Sequence, residues 1–192
     1  MNTGSARASA PSVDELVTRS LDISHFVREF AEQAELTRQV SPEAVSRIRR
    51  AGLFRILQPA IYGGYEYGFD ALSRVVAPIG AGCGSTGWVL SLGVVHQWLI
   101  AAFPKQAQDE YLADLDALAF GSYPPVGKVI PVDGGFRLSG VWGFTSGCDL
   151  PVGWCLAALF HQRVMVARPQ DLAFSYCRSL TSESTITGLQ WA

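Results

Sequence analysis

The sequence predicts an α+β chain, in which an all-α N-terminal domain is followed by an incomplete antiparallel β-domain. Three observations carry this. Up to about residue 116, apolar residues recur at spacings of three and four between charged positions. After Leu118 that spacing gives way to short apolar runs separated by Gly and Pro. With 48% hydrophobic and only 17% charged residues, the chain is globular and can bury a sizeable core. The expected organisation is a flexible tail over 1–12, a helical domain over 13–116, a β-domain over 117–168 and a divergent segment over 169–192.

The opening MNTGSARASAPS lacks the apolar core of a signal peptide, which makes it a tail. Leu16, Ile23, Phe26, Val27, Phe30 and Ala34 then mark one face of an amphipathic helix from Ser12 to about Val40, with Ser20 as the place where it would break. Ser41-Pro42-Glu43 is a helix start: serine caps free amides, proline suits the first turn and glutamate the dipole. That helix runs to Ala51 and stops at Gly52. Residues 53–68 are loop, turned by Pro59, Gly63, Gly64 and Gly68. A third helix spans Asp70 to Ala81, with Pro78 expected to kink or end it.

Residues 85–103 carry no formal charge, so a membrane span has to be weighed. Ser85, Thr86, Ser91, His96 and Gln97 make the segment too polar for lipid on every side, which favours a buried core helix. Pro104 opens a fifth helix, PKQAQDEYLADL. Strands are expected at Leu118 to Tyr123, Gly127 to Val132, Phe136 to Thr145, Trp154 to Phe160 and Arg163 to Ala167, with Asp133-Gly134-Gly135 as a hairpin turn. From Pro169 the periodicity is lost.

The stretch that concentrates chemistry is 134–149, GGFRLSGVWGFTSGCD. Phe136, Leu138, Trp142 and Phe144 fall at the period of a half-buried strand, with Gly140 between them. The strand ends in Thr145, Ser146 and Gly147. Two adjacent hydroxyls after two large aromatics place donors at the lip of an apolar surface, as a flat aromatic cofactor needs; hydroxyls that merely cap a turn would look the same.

Other chemistries are set aside. The formal net charge of −2 offers no basic face for nucleic acid. Cys83, Cys148, Cys155 and Cys177 have neither metal-ligand spacing nor a disulfide pattern, which points to small buried residues in a reducing cytoplasm. His25, His96 and His161 stand in unrelated contexts, so no metal site is expected. There is no G-x-S-x-G elbow and no P-loop. Gly82-Cys83-Gly84-Ser85-Thr86-Gly87 matches G-x-G-x-x-G by letter, but it follows a helix where a dinucleotide site needs a strand, so it is read as a close junction between helices. By its own chemistry His96 is either a satisfied core histidine or a functional one.

The run Trp142-Gly143-Phe144-Thr145-Ser146-Gly147-Cys148-Asp149 resembles the flavin-contact strand of the acyl-CoA dehydrogenase fold, in its branch of reduced-flavin-dependent aromatic monooxygenases. Three further stretches agree in order: Gly52-Leu53-Phe54 through Gln58-Pro59 to Gly63-Gly64, then Gly82 to Trp88 through His96, then Ser122-Tyr123-Pro124-Pro125-Val126-Gly127. The resemblance covers roughly residues 13–168. It implies the helical domain and a partial antiparallel β-barrel of that fold, without its C-terminal four-helix bundle, and hence a fragment or a broken reading frame.

The function implied is that of the oxygenase component of a two-component monooxygenase for phenols, acting through a flavin C4a-hydroperoxide. Reduced FMN or FAD would come from a separate reductase, with molecular oxygen as co-substrate. Because Lys105 and Lys128 are the only lysines, a flavin phosphate would rely on arginines and backbone amides. His96 aligns with the histidine that bonds the substrate phenol, beside a pocket reached by Ser85 and Thr86. Ser146 aligns with the hydroxyl at flavin N5, Trp142, Phe144 and Thr145 with the surface facing the flavin, and Ser122 and Tyr123 with a loop bordering it. His96 and Ser146 are thus the implied catalytic pair. The family forms homo-oligomers, usually tetramers. The rival readings are an acyl-CoA dehydrogenase with bound FAD, an N-oxygenase of an amino sugar, and an inactive remnant or binding module.

Overall fold

The computed structural model describes residues 10–114, 116–132, 135–140, 144, 146–147, 150, 153–160, 163–167 and 182–187; within the strands, from Ser122 onward and Ile130 apart, the description is of the backbone. The chain divides into two compact units, Met1–Asp116 and Ala117–Ala192.

In the first unit, helix α1 (Val13–Glu29) begins at a reciprocal cap: the Ser12 hydroxyl accepts the Glu15 amide, and the Glu15 carboxylate accepts that of Ser12 at 2.6 Å. The long N-terminal helix breaks at Phe30 rather than at Ser20, and resumes as α2 (Ala31–Thr37). At Phe30 the backbone leaves helical dihedrals (φ −104°, ψ 7°) and its amide tightens onto the Val27 carbonyl. The Phe30 ring packs on Phe26, one turn earlier, at 4.6 Å, and the Arg47 guanidinium lies 3.8 Å from the Phe26 centroid. Ser20 stays helical and buried, donating its hydroxyl at 2.6 Å to the Val75 carbonyl of a facing helix.

Helix α3 (Pro42–Arg50) starts and stops as its sequence predicts, with the Ser41 hydroxyl accepting the Ala44 amide and Gly52 turning at φ 76°. Residues 53–68 form a loop with two single 3-10 turns, Leu53–Arg55 and Ala60–Tyr62. The loop folds back on itself: the amides of Tyr65, Glu66 and Tyr67 bond the carbonyls of Arg55, Gln58 and Ile56. This buries Leu53, Phe54, Ile56 and Leu57 beneath it.

Helix α4 (Phe69–Gly82) packs on α1 and runs through Pro78, which costs it one hydrogen bond without ending it; the Cys83 amide closes the last turn on the Ile79 carbonyl at 2.8 Å. Helix α5 (Gly84–Ala101) follows directly, so the glycine run is a helix-to-helix junction. The two helices cross where glycines meet: a Cβ at Gly87 would lie 2.6 Å from the Gly80 Cα. Val89, Leu90, Val94 and Ile100 make α5 a core helix. Among the described residues no helix is long and apolar enough to cross a membrane. Helix α6 (Lys105–Tyr111) is shorter than its sequence suggests, and the Gln108 side chain ties it to the carbonyls of Ala101 and Phe103.

The second unit is a five-stranded sheet in the order β4-β3-β1-β2-β5, built from β1 (Ala119–Val132), β2 (Gly135–Gly140), β3 (Gly153–Phe160), β4 (Arg163–Ala167) and β5 (Ser182–Thr187). Three expectations are corrected. The strands expected on either side of Pro124-Pro125 are one strand, β1, whose register against β3 shifts between Ser122 and Val126; prolines have no amide to donate, so the ladder skips them while the backbone stays extended. The sheet is not purely antiparallel, since β1 and β3 pair in parallel. The strand expected to reach Thr145 is interrupted by Phe144, which has a left-handed conformation (φ 59°); β2 is described over Gly135–Gly140, and residues 141–143 and 145 lie outside the described residues. Val132 faces Gly135 across the antiparallel β1–β2 pair, in keeping with a hairpin, although Asp133 and Gly134 lie outside the described residues. Strand β5 falls within 169–192 and pairs with β2.

Candidate active site

Helix α5 carries the first group of candidate residues. His96 is buried to 1% exposure, and its Nδ1 lies 2.7 Å from the Leu92 carbonyl one turn earlier. A carbonyl can only accept, so Nδ1 holds the proton, and Nε2 of the neutral ring is the acceptor nitrogen. Burial is the larger influence on its acidity and pushes the pKa below the usual 6.5, with the Leu92 hydrogen bond pulling partly back. The ring is therefore a neutral base at physiological pH. Thr86 is buried and Ser85 exposed, both in the first turn of α5. Ten residues of rise set Thr86 about 15 Å along the axis from His96, so the two do not form one cluster.

The second unit carries the rest. Ser146 and Gly147, both partly buried, lie in a turn that the Leu150 amide closes on the Gly147 carbonyl at 3.1 Å. Gly147 has φ 87°, and a Cβ there would stand 2.6 Å from the ring of Phe120, which is fully buried in β1. Only glycine fits both the dihedral and the contact. Phe120 thus pins the Ser146 turn to the strand that holds Ser122 and Tyr123 two and three residues further on. Phe144, two residues before Ser146 in the sequence, is fully exposed. The side chains of Ser122 and Tyr123 and all of Trp142 and Thr145 lie outside the described residues.

Two participants were not singled out from sequence. Leu92 supplies the carbonyl that sets the His96 tautomer, a partner recoverable from the i−4 relation within a helix. Phe120, the anvil beneath Gly147, lies 27 positions away, and no local pattern announces it. Among the described residues no group of His, Cys, Asp and Glu is placed to hold a metal ion.

A helical unit with a buried α5 bearing its lone histidine, followed by a sheet unit, is an α+β arrangement. The chain belongs to the acyl-CoA dehydrogenase family: residues 17–116 match the acyl-CoA dehydrogenase N-terminal domain. Among its relatives is the oxygenase component of an FADH2-dependent resorcinol hydroxylase from Rhizobium sp. (strain MTP-10005), 41% identical over 80% of this chain and 38% of that protein. Another is the oxygenase component of p-hydroxyphenylacetate 3-hydroxylase from Acinetobacter baumannii, 42% identical over 62% of this chain and 28% of that protein. A solved structure, the 3-HSA hydroxylase from Rhodococcus sp. RHA1, superposes with a TM-score of 0.79 at 27% identity, covering 90% of this chain and 51% of that one. The chain thus spans less than half the length of the curated relatives it matches.

Proposed function

We propose that the protein is part of the oxygenase component of a two-component flavin-dependent monooxygenase that hydroxylates a phenolic ring. The observation that carries this reading is the locked tautomer of His96: a buried neutral imidazole whose Nδ1 is committed as donor presents Nε2 as an acceptor. An acceptor there takes the proton of a phenol, and the phenolate that results is electron-rich at the ortho carbon, where an oxygen atom is to be added. The named activities of the relatives, resorcinol and p-hydroxyphenylacetate hydroxylation, agree with such a substrate.

The described residues of the second unit fit a flavin. The exposed Phe144 ring offers an apolar face, and the pinned turn two residues further on carries the Ser146 hydroxyl. Ser122, Tyr123, Trp142 and Thr145 would complete the binding surface, and Ser85 and Thr86 the substrate side. Reduced FMN or FAD, when bound, supplies the oxygen-activating chemistry with molecular oxygen as co-substrate. The chain's own tasks are to hold the ring, to exclude water with Trp142 and Phe144, to bond the cofactor edge through Ser146 and to take the phenolic proton at His96 Nε2.

A separate flavin reductase would be the partner, and a homotetramer the assembled form of the whole protein. A cytoplasmic location agrees with the free, buried thiol of Cys83. Anaerobic titration of the purified protein with FADH2 and with FMNH2 tests the reading. Saturable binding of a reduced flavin, weakened by Ser146→Ala, is the expected result; no binding of either flavin would remove the basis for it.

A further inference from the structure

Four arginines converge on one concavity of the first unit, away from every residue assigned above. Arg19 comes from α1, Arg49 and Arg50 from the last turn of α3, and Arg55 from the 3-10 turn that follows Gly52. Ser46, Tyr65 and Asp116 complete a cavity of about 250 Å³. We propose that this cavity binds the phosphate or diphosphate group of a small soluble molecule.

The charge balance is the first support. The chain as a whole carries −2, yet its cavity gathers four of the fifteen basic residues against one lining carboxylate, Asp116. The helix dipole accounts for arginines at the end of α3, where the carbonyls point outward. It does not account for Arg19 and Arg55, which arrive from other elements and add like charge to the same space.

The second support is hydrogen bonding. Arg19 donates to the Ala51 carbonyl at 3.0 Å, Arg50 to Glu43 at 3.1 Å and Arg55 to Asp116 at 2.8 Å. Each contact uses one of the five N–H donors of a guanidinium and orients the head while leaving further donors. Arg49 differs: its Nε is buried and has no hydrogen-bond partner. A buried N–H of a cation without an acceptor is unfavourable, and an oxyanion in the cavity would offset the charge of that cation and relieve the mutual repulsion of the four heads.

Construction is the third. The Tyr65 amide bonds the Arg55 carbonyl, and the Tyr65 ring closes over Gly52, where any side chain would displace the phenol. The wall is therefore preformed. A cavity of this size is below the roughly 300–1,000 Å³ that encloses a whole drug-sized ligand, so it suits the anionic head of a molecule whose remainder projects outward. The proposal stands on the first unit alone and is independent of the oxygenase reading.

Calorimetric titration of the whole chain with sodium pyrophosphate, against sodium chloride at matched ionic strength, tests it. The expected result is one saturable site per chain, absent with chloride and weakened at least about tenfold by Arg49→Met, which keeps the apolar stem and removes the charge-assisted donors. Arg19→Gln serves as a second variant should Arg49→Met fail to fold, and Arg28→Gln, an exposed arginine outside the cavity, should bind as the parent does. No saturable pyrophosphate binding, equal binding by the Arg49→Met and Arg19→Gln proteins, or equal loss in Arg28→Gln would overturn the proposal.

Discussion

The hydrogen bond from His96 Nδ1 to the Leu92 carbonyl, 2.7 Å within α5, decides what the only buried histidine among the described residues can do. It fixes one ring nitrogen of the neutral imidazole as the donor and the other as the acceptor. The proposed chemistry and the packing would use different nitrogens of the same ring, so a core role and a functional role do not compete.

His96→Ala and His96→Gln should separate these roles. In the proposed oxygenase either change would remove the base for the phenolic proton, and hydroxylation should fall by about 10²-fold or more. The alanine variant also leaves a cavity in the core and should lose about 2 kcal/mol or more in denaturant unfolding, whereas glutamine fills more of the space. Unchanged turnover in both would remove His96 from catalysis.

The depressed pKa of His96 has a pH signature. The folded chain takes up this proton only below the ordinary value of 6.5, whereas the unfolded chain takes it up near that value. Between the two values the unfolded state binds more protons, so stability rises with pH there. Stability should be fully present above about pH 6.5 and fall as pH drops through the window towards the folded pKa. In His96→Gln the same melting series should be flatter across that window.

Gly80 and Gly87 face each other where α4 and α5 cross, and they should respond oppositely to alanine. A Cβ at Gly80 meets nothing within 4 Å, so Gly80→Ala should gain about 0.5–1 kcal/mol from helix propensity. A Cβ at Gly87 meets the Gly80 backbone at 2.6 Å, so Gly87→Ala should destabilise by about 1–3 kcal/mol. Thermal unfolding of the two single variants reads both signs.

Ser20→Ala should cost about 1 kcal/mol, because it removes the buried tie between α1 and the Val75 carbonyl of α4. A loss near zero in chemical denaturation would mean that the contact is dispensable.

The helical unit is largely legible in the sequence because its signals are local. Ser41-Pro42-Glu43 starts α3 and Gly52 ends it, and the polar residues of 85–103 correctly argue for a core helix. What is not legible depends on partners far along the chain. Ser20, for one, is tied to the Val75 carbonyl 55 residues further on and stays within its helix. The continuity of β1 through Pro124-Pro125, which pairs with β3 on either side of the prolines, is not encoded by turn propensity. Among the candidate residues, His96 and Ser146 are singled out by the family resemblance, since by residue type alone the first reads equally as a core histidine and the second as a turn cap. The pinning of Gly147 by Phe120 and the meeting of Arg19 with Arg49 and Arg55 arise only in the fold.

The most direct measurement of the central claim is product analysis after the protein, supplied anaerobically with FADH2 or FMNH2, is mixed with oxygen and resorcinol or p-hydroxyphenylacetate. The account predicts a product with one added oxygen atom, formed in proportion to the reduced flavin, and a shift from that product to hydrogen peroxide in Ser146→Ala. Hydrogen peroxide alone from the parent protein, with both phenols recovered unchanged, would contradict it.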